Sequence, residues 1–332
     1  MSRHIVVIGG AGYIGSVLVS ALLEQGNQVT VVDDLWFGGE SLLPFLPLQR
    51  FRLVKADVST SRELDRVMQD ADGVVHLAAL VGFPACDRAG RETTWRVNVE
   101  ATKRVYEAAA HAGVRRFIYA SSYSNYGHAE GDATVTEESP LFPQSLYAES
   151  KIAAERFLLD QTAHNGISTV CLRLATVFGL SPRTRFDLMV NQFVLEAFSK
   201  RRLVLYQQDF KRSFVHVRDV ARAMALVLDA PDDHVRGQVF NIGSEKLNTT
   251  KSYLVELLRK HWTDIQLEMR DVNFGGDMRS LHVSFEKARS ILGFEAQLSL
   301  EEGINDLCWV LENNVIWEPQ SDHYRNHPAI LV

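Results

Sequence analysis

The run Ile5-Val6-Val7-Ile8-Gly9-Gly10-Ala11-Gly12-Tyr13-Ile14-Gly15 reads as a buried strand that ends in a glycine turn and opens a helix. A turn of this kind lets a phosphate approach bare backbone at the positive end of a helix. Eighteen residues beyond Gly15, at the end of the next apolar run Val29 to Val32, stands Asp33. A carboxylate there accepts from an adenosine ribose hydroxyl and repels a 2′-phosphate. Asp34, Leu35 and Trp36 follow with no cation among them, so NAD is expected rather than NADP. The expected cofactor set starts with Gly9, Gly12, Tyr13, Ile14, Gly15, Asp33 and Asp34.

Outward from this turn, short β-branched runs alternate with helical patterns. Leu53 to Lys55, Val74 to Leu77, Phe117 to Ala120 and Thr169 to Leu174 read as further buried parallel strands. Tyr13 to Gln25, Trp95 to Ala112 and Tyr147 to His164 read as helices, each followed by a glycine stop within two residues. The pattern predicts an α/β fold with a doubly wound Rossmann-type parallel sheet and a ligand at the carboxyl ends of its strands. Residues 1–174 are expected to form the NAD-binding domain, with later segments returning to it. Residues 175–332 are expected to form mainly a smaller C-terminal substrate-binding lobe. There, isolated strands (Leu203 to Tyr206, Val239 to Ile242) mix with helices (Leu188 to Lys200, Val220 to Leu228, Ser252 to Lys260, Leu300 to Asn313). At strand ends three and four, Asp57-Val58 can reach an adenine and the small residues of Leu77-Ala78-Ala79 let backbone lie against a dinucleotide.

Ser121-Ser122 follows the fifth strand, and Tyr147 and Lys151 lie one helical turn apart on one face. An ammonium beside a phenol draws its pKa down from about 10 and makes it a usable acid/base. Ser122 can share its hydrogen bond, so Ser122, Tyr147 and Lys151 are the candidate catalytic residues for oxidising a sugar hydroxyl. Tyr147 and Lys151 also belong to the cofactor set.

Composition excludes several other classes. The 332 residues are 46% apolar and carry 35 Lys plus Arg against 41 Asp plus Glu, a formal charge of −6. This mild acidity gives no global attraction to nucleic acid or an anionic membrane. No apolar stretch approaches the roughly 20 residues of a membrane span. Cys86, Cys171 and Cys308 are odd in number and widely spaced, which fits a reduced, cytoplasmic protein without a metal site.

The same residues resemble the extended short-chain dehydrogenase/reductases that act on nucleotide sugars. The matching segments are the glycine turn, His76-Leu77-Ala78-Ala79, Asn98-Val99, Ser121-Ser122, Tyr126-Gly127, Tyr147 with Lys151, Arg212 to Val217 with Asp219, and Gly276-Asp277-Met278-Arg279. The resemblance implies that Asn98 joins the cofactor set and that Arg212 and Arg279 grip a nucleotide diphosphate through guanidinium forks. On the substrate side it implies Ser122, Tyr123, Thr176, Arg185, Asn191, Arg212 and Arg279. It also implies a homodimer, for which the helices that start at Trp95 and Tyr147 are candidates, although their apolar faces could equally cover the sheet.

Relatives that remove water carry an Asp-Glu pair where this chain has Tyr123-Ser124. Decarboxylating relatives keep a Glu at the position of Ser124, and the 3,5-epimerase group a Cys at that of Tyr123. The expectation is therefore an NAD-dependent nucleotide-sugar 4-epimerase acting on an NDP-hexose or NDP-heptose. A 4-dehydrogenase or 4-keto reductase is the alternative, and a non-catalytic NAD sensor a more distant one. Thr176 replaces a usual Asn, Gln207-Gln208-Asp209 replaces a usual Gly-Asp-Gly, and the loop Ser181 to Asp187 carries two extra cations, Arg183 and Arg185. These departures resemble the subgroup containing GDP-heptose 4-dehydrogenases.

Overall fold

The computed structural model describes residues 2–127, 134–164, 166–206, 210–270 and 281–326. Its centre is a parallel sheet of β1 (His4–Ile8), β2 (Gln28–Asp33), β3 (Phe51–Lys55), β4 (Gly73–His76), β5 (Arg116–Ser122), β6 (Ser168–Leu174) and β7 (Gln238–Ile242). The strands lie in the order β7-β6-β5-β4-β1-β2-β3. Chain direction of travel across the sheet reverses between β1 and β4, which opens a crevice at their carboxyl ends. The helices that matter here are α1 (Tyr13–Glu24), α2 (Phe83–Trp95), α3 (Ala101–His111), α4 (Leu146–Thr162), α5 (Met189–Lys200), α6 (Val217–Asp229) and α7 (Leu300–Glu312).

Successive residues of β1 face opposite sides, so the sheet has two cores. Ile5 and Val7 pack with Leu18 and Leu22 of α1 and Val220 and Val227 of α6. Val6 and Ile8 pack with Val105 and Tyr106 of α3 and Leu158 of α4. A third cluster forms beyond the sheet, where Phe178, Val194, Phe214, Ile304 and Leu307 gather α5, α7 and a small sheet of Thr176–Phe178, Lys211–His216 and Asn248–Thr250.

Two elements differ from the sequence reading. The helix expected over 95–112 is α2, a π-helical turn (Arg96–Glu100) and α3 in succession. Helix α2 starts straight after Gly82 and is interrupted by a kink at Gly90, whose φ of 78° is not helical. Val239 to Ile242, read among the elements of the second half, lies in β7 at the edge of the central sheet beside β6.

A buried polar network sets α4 against the strand ends. Arg173 of β6 pairs with Glu155 of α4 at 2.5 Å, with side chains 5% and 2% exposed. Glu155 also accepts from Ser121 Oγ at 2.6 Å, while Arg173 Nη1 donates to Tyr126 Oη at 2.9 Å. Tyr126 in turn donates to Asn241 of β7 at 2.6 Å. Breaking a buried pair from one side leaves a bare charge. Glu155→Ala should therefore lower unfolding free energy by about 3–5 kcal/mol in urea titrations; a loss within 1 kcal/mol, roughly what a surface pair is worth, would contradict this role.

Candidate active site

The crevice at the switch point is a cavity of about 370 Å³. Its floor is the glycine turn. Gly9 has φ of +82°, and a Cβ there would stand 2.7 Å from Ala78 N, so only glycine lets β1 and the segment after β4 approach. At Gly15 a Cβ would meet the Gly9 carbonyl at 2.3 Å, which fixes α1 against the turn. Helix α1 begins at Gly12 with no side-chain cap and no acid in its first turn. Its leading N–H groups are thus left for an anion.

Asp33 holds the turn as well as facing the cavity. Its two oxygens accept from Ala11 N and Leu35 N, each at 2.9 Å, and each keeps a further lone pair for a ribose hydroxyl. Burial pushes Asp33 up and Asp34 up to about 6. Gly9, Gly12, Tyr13, Ile14, Gly15, Asp33, Asp34, Asp57, Val58, Leu77, Ala78 and Ala79 all line the cavity. Two of these are partly committed elsewhere: Asp57 caps Ser59 N at 2.7 Å, and Tyr13 Oη donates to the Gly179 carbonyl at 2.7 Å. A bare floor, an uncapped helix end and a carboxylate at the tip of β2 suit a dinucleotide.

Ser122, Tyr123, Tyr147, Lys151, Thr176 and Arg185 line the same cavity. Lys151 is 3% exposed and donates from Nζ to the Ala120 carbonyl at 2.8 Å. Its Nζ lies 4.7 Å from the Tyr119 ring centre and 6.0 Å from that of Tyr147. Burial pulls Lys151 down to about 8. Ser122 Oγ accepts from Ser124 Oγ at 2.7 Å and from Ser124 N at 3.2 Å, which leaves its own proton to be donated into the cavity. Ser124, which the sequence reading treated only as a missing acid, is thus a partner that orients Ser122. The hydroxyls of Tyr123 and Thr176 lie 2.8 Å apart.

Three expected site residues, Asn98, Asn191 and Arg212, are not among those that line the cavity. Asn98 is 1% exposed and does not line the cavity. Its amide holds Leu80 N and O at 2.7 and 3.0 Å and Ser150 Oγ at 3.0 Å, so it braces the segment after β4 against α4. Asn191 is fully buried behind the wall, where it accepts from Gly179 N at 3.0 Å and donates to the Arg185 carbonyl at 2.9 Å. Its amide group thus shapes that loop. Arg212 is 3% exposed in the small sheet opposite Thr249, away from the cavity lining. Arg279 and the segments 207–209 and 276–279 lie outside the described residues. Arg185 is held by Asp187 through two bonds of 3.0 and 2.7 Å.

Among the described residues no helix is long and apolar enough to cross a membrane. A family model described as the NAD dependent epimerase/dehydratase family matches residues 5–243. A UDP-glucose 4-epimerase from Streptomyces lividans is 31% identical, over 98% of this chain and 99% of that protein. A dTDP-glucose 4,6-dehydratase from Streptomyces niveus is 28% identical over 95% of each. Among solved structures, MoeE5 in complex with UDP-glucose and NAD superposes with a TM-score of 0.80 at 29% identity, covering 94% of this chain and all of that one.

The buried lysine has a measurable signature. Its folded pKa, about 8, lies below the ordinary 10.5. Between those values the unfolded chain binds more protons, so the contribution of Lys151 to stability rises with pH across that window. Urea unfolding of wild type and Lys151→Met from pH 7 to 10.5 should show their free-energy difference moving in favour of wild type by about 1–3 kcal/mol. A difference that is flat with pH would contradict this burial.

Proposed function

The chain belongs to the NAD dependent epimerase/dehydratase family, and from that premise we propose that it is a nucleotide-sugar 4-epimerase that oxidises C4 transiently and reduces it again. NAD is its cofactor; when bound it supplies the acceptor, and then the donor, of the C4 hydride. The glycine turn, the first turn of α1 and Asp33 hold it.

The chain's own part is proton traffic. Tyr147 Oη takes the proton of the C4 hydroxyl as the keto sugar forms and returns it on reduction. Lys151, fixed to the Ala120 carbonyl, sets a positive charge beside that phenol and favours its ionised form. Ser122 donates to the C4 oxygen, oriented by Ser124.

The observation that carries the reading is the cavity wall beside Ser122. Among the described residues it presents the hydroxyls of Tyr123 and Thr176 and no carboxylate or thiol. The cavity acids, Asp33, Asp34 and Asp57, stand at the ends of β2 and β3, remote from Ser122 in sheet order. Eliminating water needs a second acid and base at the sugar. Hydride transfer with one phenol does not.

The test is incubation of purified protein with UDP-, dTDP-, GDP- and ADP-linked hexoses, and with GDP-heptose, without added cofactor. One of them should convert to its 4-epimer with no net NADH. Accumulation of a 4-keto product with stoichiometric NADH would replace this reading with the 4-dehydrogenase. Tyr147→Phe should lower turnover about 10²–10⁴-fold while the protein retains its NAD; unchanged turnover would remove Tyr147 from the mechanism.

A further inference from the structure

Among the described residues one cation of the cleft, Arg183, has no carboxylate paired with it. Arg183 belongs to the loop that leaves the small sheet after Phe178 and lies on the first turn of α1. There Ser181 Oγ donates to the Tyr13 carbonyl at 2.7 Å and stands 3.1 Å from Ser16 Oγ. Arg183 lines the cavity together with Asp33, Asp34 and Phe37 and is 5% exposed, its guanidinium carbon 4.8 Å from the Phe37 ring centre. Nη2 donates to the Arg325 carbonyl at 3.1 Å, while Nε and Nη1 are buried without a hydrogen-bond partner. Arg185, two residues on, is matched by Asp187, and among the described residues no carboxylate pairs with Arg183.

A buried guanidinium without a counterion is expensive. Burial, with repulsion from Arg185, pulls its pKa down to about 10, against the opposing charges of Asp187, Asp33 and Glu40. The fold nevertheless invests contacts in keeping it there. The C-terminal segment closes behind it. Phe186 N donates to the Tyr324 carbonyl at 2.8 Å, their rings stack edge-on at 5.8 Å, and Asn326 N donates to Asp187 Oδ2 at 3.2 Å. Asn326 itself lines the cavity.

We propose that Arg183 is the counterion of the cofactor diphosphate, carried across the cleft by the second lobe and locked there by the segment Ser321 to Asn326. The uncapped N-terminus of α1 and this guanidinium then act on one anion, and the cofactor is held by both lobes instead of by the first alone. The neighbouring Asp33 and Asp34 disfavour a ribose 2′-phosphate as the anion, because a third negative group would meet two carboxylates. The inference rests on NAD as the cofactor and not on which sugar reaction follows, and its test needs no turnover.

Full-length protein stripped of nucleotide is titrated calorimetrically with NAD, ADP, 2′,5′-ADP and adenosine. Losing a charge-assisted bond to a phosphate predicts that Arg183→Gln weakens NAD and ADP about 10- to 100-fold and leaves adenosine unchanged, with Arg183→Lys restoring part of the loss. Removal of residues 321–332 should speed NAD release in a chase experiment several-fold. Equal weakening of adenosine and ADP would reduce Arg183 to a structural residue. A loss confined to 2′,5′-ADP would move its anion to the ribose, and unchanged NAD affinity would overturn the proposal outright.

Discussion

Backbone laid on backbone at the end of β1 is the constraint from which the rest follows. Gly9 touches the Ala78 peptide, and Gly15 sits on the Gly9 carbonyl. Any side chain at either place would push the sheet or the helix away. Because both are bare, the crevice between β1 and β4 has a floor of backbone and an uncapped helix end in place of side chains. A dinucleotide is the ligand whose diphosphate uses such a floor. The proposed catalytic groups are placed relative to it.

The reacting side is built by a different device. Ser122 ends β5, and Tyr147 and Lys151 come from the start of α4, so their separation depends on how α4 sits on β5 and β6. The Glu155 and Arg173 pair fixes that seat, with Ser121 and Tyr126 completing its hydrogen bonds. The ammonium of Lys151 is kept in place by a carbonyl of the strand itself and by a tyrosine face, a pairing that leaves its charge available to the phenol. The loop after Phe178 supplies a further wall, tied to α1 through Tyr13 to Gly179 and Ser181 to Tyr13.

Much of this was legible in the sequence because it is local. The glycine turn, Asp33 at the next strand end and the one-turn spacing of Tyr147 and Lys151 depend on period and distance along the chain. Interactions whose partners are far away along the chain were not legible. Asn98 and Asn191 look like pocket amides, and only the folded chain shows Leu80, Ser150 and Gly179 consuming their bonds. Ser124 was read as the loss of an acid, and its two-residue reach back to Ser122 was overlooked although Ser-x-Ser turns do this locally. Arg183 stood out as an extra cation, but its meaning rests on a carbonyl 142 positions later.

The account claims that one phenol, facing one retained cofactor, carries both halves of the reaction. The most direct measurement uses substrate deuterated at C4, incubated with the enzyme in the presence of excess unlabelled NADH, with the product examined by mass spectrometry and NMR. The account predicts a 4-epimer that keeps its deuterium at C4, with no label in the NADH pool. Deuterium lost to solvent or found in the pool would contradict it.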